Sequence, residues 1–192
     1  MARTGAGNRA SPVEVLPPAP DPWETIALAA AEESALWAAA LRASHERELV
    51  AVFSPLAEPA YALGIETIYE GYLLHYGRPR LFAPAGDEIA LLLGDYLYAH
   101  GLVRISASQN VAAVADLAEL ISLSAQLHAG PIVDDGWAWA ATVALLASPA
   151  LEPARAALRE NGDASALAAL ARSAASDAAL ELALAAHRAR VR

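Results

Sequence analysis

Apolar side chains recur along most of this chain at three- and four-residue intervals, the period of an amphipathic helix, and the alternation of a half-buried strand is missing. Trp23, Ile26, Ala30, Trp37 and Leu41 fall close to one stripe, which predicts a helix from the Asp21-Pro22 cap to about Ser44. Ile65, Ile68, Tyr69, Tyr72, Leu73 and Tyr76 give a second helix over about 59–76. A third is expected over 87–106; it is apolar on most sides at 89–93 and so reads as a central helix. A fourth covers about 110–128 and ends at Gly130-Pro131, and a fifth is capped by Asp134 and ends at Ser148-Pro149. A short helix over 153–160 precedes a long, alanine-dominated one from Asn161-Gly162-Asp163 to about Arg190, where Arg188, Arg190 and Arg192 suit the negative end of the helix dipole. Seven helices without a strand make an all-α bundle. Residues 1–20 contain Gly, Pro and Ser without periodicity and are expected to form a disordered, Pro-rich tail. Residues 21–192 are expected to form one domain.

Composition sharpens this picture. Alanine fills 50 of the 192 positions, and with leucine it carries the lowest entropic cost in a helix. All 13 basic side chains are arginine, and the net charge is −9. A nucleic-acid binder needs a basic stripe to displace counterions from phosphate, so that class is excluded. The absence of cysteine excludes a disulfide scaffold or a thiolate metal site. The N-terminus has two arginines but no apolar core followed by a cleavage site, so no secretory signal is read there. The longest uncharged run, 136–151, has 16 residues and contains Pro149, short of the roughly 20 that span a bilayer. A buried helix is expected there. Trp137 and Trp139 are the candidates for contact with a membrane surface, since tryptophan favours the interface. A cytoplasmic protein is expected, in peripheral contact with the membrane's inner face at most.

Few constellations promise chemistry. His75, His100 and His128 each stand one or two residues before a glycine, the place where a helix C-terminus combines a cation with a left-handed cap. A three-histidine metal site is the sharper alternative, but no carboxylate-histidine spacing accompanies it. Glu66 with Glu70, and Asp116 with Glu119, are carboxylate pairs one turn apart, more commonly solvated than catalytic. Asp134-Asp135 reads as a helix cap. No nucleophile elbow, phosphate loop, dinucleotide fingerprint or zinc motif occurs. No cofactor, metal or catalytic residue is therefore expected. Tyr69, Tyr72, Tyr76, Tyr96 and Tyr98 place five of the six tyrosines within 30 residues; they are candidates for core packing, or for lining a pocket or a partner contact.

The segment Ile89-Ala90-Leu91-Leu92-Leu93-Gly94-Asp95-Tyr96-Leu97-Tyr98-Ala99 resembles the central helix of the trans-prenyl diphosphate synthases, which typically carries apolar residues, Gly-Asp, an aromatic residue and leucine. Leu73-Leu74-His75 is similar to the residues before that family's first Asp-rich motif, and Arg78-Pro79-Arg80 to the arginines after it. Leu117-Ala118-Glu119-Leu120-Ile121 lies where its next helix would fall. The resemblance covers 23–128, with 133–192 as additional helices, and implies part of the isoprenoid synthase fold.

The same resemblance implies that activity is absent. The family holds magnesium on two Asp-rich motifs, and magnesium needs hard oxygen ligands bridging to phosphate. Here Tyr76 and Gly77 stand where the first aspartate pair would be, and Asp134-Asp135 comes too early for the second motif. Without that clamp, charge on a departing diphosphate goes unstabilised. Heteromeric members of the family pair a catalytic subunit with a small non-catalytic one, as in heptaprenyl diphosphate synthase. The implied role is such a pseudoenzyme, an accessory subunit paired with a catalytic partner or with a second copy of itself. The alternatives are a helical scaffold in a larger, membrane-associated assembly, and a carrier of an apolar ligand.

Overall fold

The computed structural model describes residues 21–130 and 134–191, so the expected tail falls outside the described residues. The described chain is all-α. Its helices are α1 (Pro22–Glu33), α2 (Ala35–Ala40), α3 (Ala62–Tyr76), α4 (Asp87–Ser106), α5 (Val111–Ala129), α6 (Gly136–Ala144), α7 (Leu151–Asn161), α8 (Ser165–Ala174) and α9 (Asp177–Arg188). Among the described residues the only strand-like pairing is two isolated bridges, Leu41 with Phe82 and Gly77 with Val191.

Nine helices replace the expected seven because two long ones break at serine. Ser34 turns extended and its hydroxyl accepts from the Leu36 amide at 3.1 Å, so it ends α1 and caps α2. Ser176 does the same between α8 and α9, accepting from Ala179 at 3.3 Å, with Asp177 in the first turn of α9. Where the second helix was expected to begin, at Pro59, a 3₁₀ turn over Pro59–Tyr61 leads into α3.

The central helix is α3, not α4. Every residue from Gly64 to Leu74 is buried, whereas α4 leaves Leu91, Leu92 and Val103 at least half exposed. The cause is a close antiparallel crossing through glycines. Gly64 and Gly71 are seven residues apart in α3, as are Gly94 and Gly101 in α4. A Cβ on Gly71 would lie 2.9 Å from the Gly94 carbonyl oxygen, and one on Gly101 would lie 3.0 Å from that of Gly64. The two backbones therefore touch, and α4 turns its Leu93-Gly94, Leu97, Gly101 and Ile105 side inward. His100-Gly101 lies inside α4 and is not a helix end, which corrects the cap expected there.

Around α3 the core divides in two. Phe53, Tyr69, Tyr72 and Trp139 centre the larger part, with α5 to α9 closing over them. Trp23, Ile26, Phe82, Leu93 and Leu97 form the smaller part beneath α1 and α2. Burying an aromatic or aliphatic side chain of this size contributes about 1.5–3 kcal/mol.

Candidate functional site

Two buried polar clusters flank α3 on adjoining faces, with Tyr69 touching both, and sequence reading reached neither as a cluster. The first is ionic. Glu66 and Glu70, one turn apart, are buried and not solvated, which corrects the expectation for that pair. They enclose the guanidinium of Arg80, which is itself fully buried: its Nε donates to Glu70 at 2.9 Å, and one Nη donates to both Glu66 and the Val50 carbonyl. The remaining carboxylate lone pairs hold loop backbone. Glu70 accepts from the Arg80 and Leu81 amides at 2.8 and 2.7 Å, and Glu66 from Val52 and Ser54 at 3.3 and 3.2 Å. Trp23 and Tyr69 rings lie 4.8 and 5.1 Å from the Arg80 guanidinium carbon. Burial would lower the arginine's pKa, but the facing Glu66 and Glu70 raise it above its ordinary value, so it keeps its charge.

The second cluster centres on Asp135, which precedes α6 and is wholly buried. Tyr72 donates to its Oδ1 at 3.0 Å, and His187 Nε2 lies 3.0 Å from the same oxygen. Tyr69 reaches His187 Nδ1, and His128 Nε2 reaches the Tyr72 hydroxyl, both at 3.0 Å. The Tyr72 hydroxyl thus bridges His128 and Asp135, and His187 bridges Tyr69 and Asp135 through its two ring nitrogens. Burial would raise the Asp135 pKa, but the neighbouring imidazoles, His187 at 3.0 Å and His128 at 3.7 Å, outweigh it and hold the carboxyl well below its ordinary range. Burial pushes the Tyr69 and Tyr72 hydroxyls far up, and Asp135 adds to the effect on Tyr72. This constellation links two hydroxyls, two imidazoles and a carboxylate, but Tyr69, Tyr72, Asp135 and His187 are all closed to solvent. Its work is to fasten α3, α5, α6 and α9 together.

The five candidate tyrosines divide accordingly. Tyr69 and Tyr72 are core, so they offer no partner contact. Tyr76 is half-buried, its ring stacked on His128 at 4.0 Å between centroids. Tyr96 packs on Trp37 and donates to the Ala29 carbonyl at 3.3 Å. Tyr98 stacks on His75 at 5.0 Å, and its buried hydroxyl has no partner among the described residues. Of the two candidate tryptophans, Trp139 is fully buried and stacked on Phe53, which corrects its candidacy for membrane contact; Trp137 is half-buried, with Arg172 over its ring.

The histidines that sequence reading grouped go to different neighbours. His75 lies 3.2 Å from Asp95, His100 packs on Tyr96, and His128 joins Asp135. Among the described residues, no group of three or more histidines and carboxylates is arranged to hold a metal ion. Asp116 and Glu119 pair with Arg155 and Arg159 of α7; Asp116 is largely covered, while Glu119 keeps about a third of its side chain (35%) in solvent.

No family model matches the chain, and neither a curated protein nor a solved structure shows a match.

The surface carries one more feature. Helix α5 is long and apolar enough, by length and composition, to cross a membrane, yet only a third of it is buried. Its two charges, Asp116 and Glu119, are spent on α7. Val111, Ala112, Ala115, Ala118, Ser122 and Ala125 are left on an exposed face with no charge. Leu92, Val103 and Val111 are 58%, 64% and 80% exposed. The buried helix expected over 136–151 is α6, which ends at Ala144; residues 145–150 form the partly exposed turn into α7.

Proposed function

We propose that this chain is a non-catalytic helical subunit that acts by packing the outer face of α5 against a protein partner. The observation that carries this reading is the uncharged, exposed side of α5 on a helix tied to the bundle by both of its carboxylates. Alanines at this density let a second helix approach closely, as the glycines of α3 and α4 do within the fold. The closed Asp135 cluster supports the non-catalytic half of the reading, because substrate has no route to its protons.

The resemblance of residues 89–99 to prenyl diphosphate synthases makes a catalytic member of that family the first partner to seek. A scaffold role in an unrelated assembly is the second reading, favoured by one specific observation: Gly94 is required by the contact of α4 with α3, whatever the chain binds.

Native purification followed by mass measurement of the intact complex tests this, with Ala118→Arg as the control. The variant places an unpaired charge in the interface, which costs about 3 kcal/mol, or about a hundredfold in Kd. A companion lost on Ala118→Arg, with helicity unchanged, is the expected result. A companion with Asp-rich motifs, together with altered product length on mixing, selects the prenyl synthase reading. A native monomer, or a complex indifferent to Ala118→Arg, overturns the proposal.

A further inference from the structure

A surface groove of about 350 Å³ runs between the start of α6, α8 and α9, within the range of about 300–1,000 Å³ typical of ligand pockets. Its floor is apolar, formed by Trp137, Leu180 and Leu184. Arg172 lies over the Trp137 ring with its guanidinium carbon 4.7 Å from the centroid, and Arg188 also lines the groove. Most arginines in the described residues are committed to ion pairs or hydrogen bonds; Arg172 and Arg188 make neither among those residues. In a chain of net charge −9, two uncommitted cations beside one apolar floor are a local exception.

Asp177 and Glu181 also edge the groove, so its charge has a direction. Asp177 and Arg188 stand eleven residues apart on α9, about 16 Å along the axis. The start of α6 packs at the Arg188 end: a Cβ on Gly136 would lie 3.0 Å from Leu184 and 3.2 Å from His187. The Arg172 guanidinium reaches the same groove from α8, across the Trp137 ring. A planar contact already orients that guanidinium, which lowers the entropy lost when it binds a carboxylate.

We propose that this groove binds a small amphipathic carboxylate, its apolar or aromatic body on Leu180 and Leu184 and its head group between Arg172 and Arg188. The site is independent of the α5 docking face. Calorimetric titration of the full chain with 1-naphthylacetate tests it, with the neutral 1-naphthaleneethanol as comparison. The carboxylate is expected to bind at least about tenfold more tightly than the alcohol, about 1.4 kcal/mol. Arg172→Gln and Arg188→Gln, both at exposed positions, each weaken the carboxylate by a similar factor, and Ala118→Arg leaves it unchanged. Absence of binding, equal binding of acid and alcohol, or binding untouched by both arginine variants overturns the assignment.

Discussion

Replacing Arg80 by methionine removes the one cation that faces two buried carboxylates while keeping a side chain of similar reach. The guanidinium is fully buried, as are Glu66 and Glu70, so the variant leaves two negative charges without a counter-ion inside the fold. Breaking a buried pair by deleting one partner costs about 3–5 kcal/mol, a large part of the roughly 5–15 kcal/mol that stabilises a domain. With a urea dependence near 2 kcal/mol per molar, the midpoint should fall by about 2 M. The loss should also depend on pH. To fold, one of the two carboxyls must take up a proton that the unfolded chain releases, so the folded state binds more protons and the variant gains stability as pH falls. The slope approaches about 1.4 kcal/mol per pH unit for one proton. Urea unfolding followed by far-ultraviolet circular dichroism between pH 5.5 and 8 reads both effects. A companion variant, Glu66→Gln, Glu70→Gln and Arg80→Met together, keeps acceptors for the Val52, Ser54, Arg80 and Leu81 amides while removing all three charges. It should be more stable than Arg80→Met alone and nearly flat in pH. A midpoint shift under about 0.5 M with no pH slope would refute the reasoning.

Other perturbations test the remaining contacts. Gly71→Ala forces a methyl against the Gly94 carbonyl and should cost at least about 1–3 kcal/mol, while Gly86→Ala, with nothing within 4 Å, should stay within about 0.5 kcal/mol; thermal melts compare them. Asp135→Asn should cost about 2 kcal/mol at neutral pH by weakening the bonds from Tyr72 and His187. Because the Asp135 pKa is depressed on folding, its contribution is complete above the ordinary value of 3.8 and is lost as pH falls through the folded value; acid titration of the variant should show a shallower loss below about pH 4. Ala147→Gly should raise the melting temperature by about 2–4 °C, since Ala147 sits at φ 69°, where a Cβ costs about 1 kcal/mol.

Helical class and most element ends were legible because local rules set them: Asp21 before Pro22 and Asn110 before α5 act within a turn of themselves, whereas Gly162, read as opening the last helix, closes α7 in a left-handed cap. The breaks at Ser34 and Ser176 were missed because serine is tolerated inside a helix and favoured at its start, and periodicity does not separate the two uses. Glu66 and Glu70 looked like a solvated pair because their partner lies in the loop after α3. The readable signal for the crossing was the repeated seven-residue glycine spacing in α3 and α4. The Asp135 cluster had no comparable signal, since Tyr69 and His187 are 118 residues apart and no local pattern links them.

That separation has a consequence for synthesis. The Arg80–glutamate pairs close over ten to fourteen residues of sequence, and the cluster's other partners precede them, so it is complete as soon as the loop after α3 has left the ribosome. Tyr69, by contrast, has its histidine only when α9 emerges, and Gly77 and Arg78 have their pairing partners only when residues 190 and 191 do. The nascent chain therefore carries α3 half-clothed through most of its translation, its tyrosine face open to whatever helix arrives first. A chaperone or an already finished subunit that occupied this face would set the time at which the chain closes on itself.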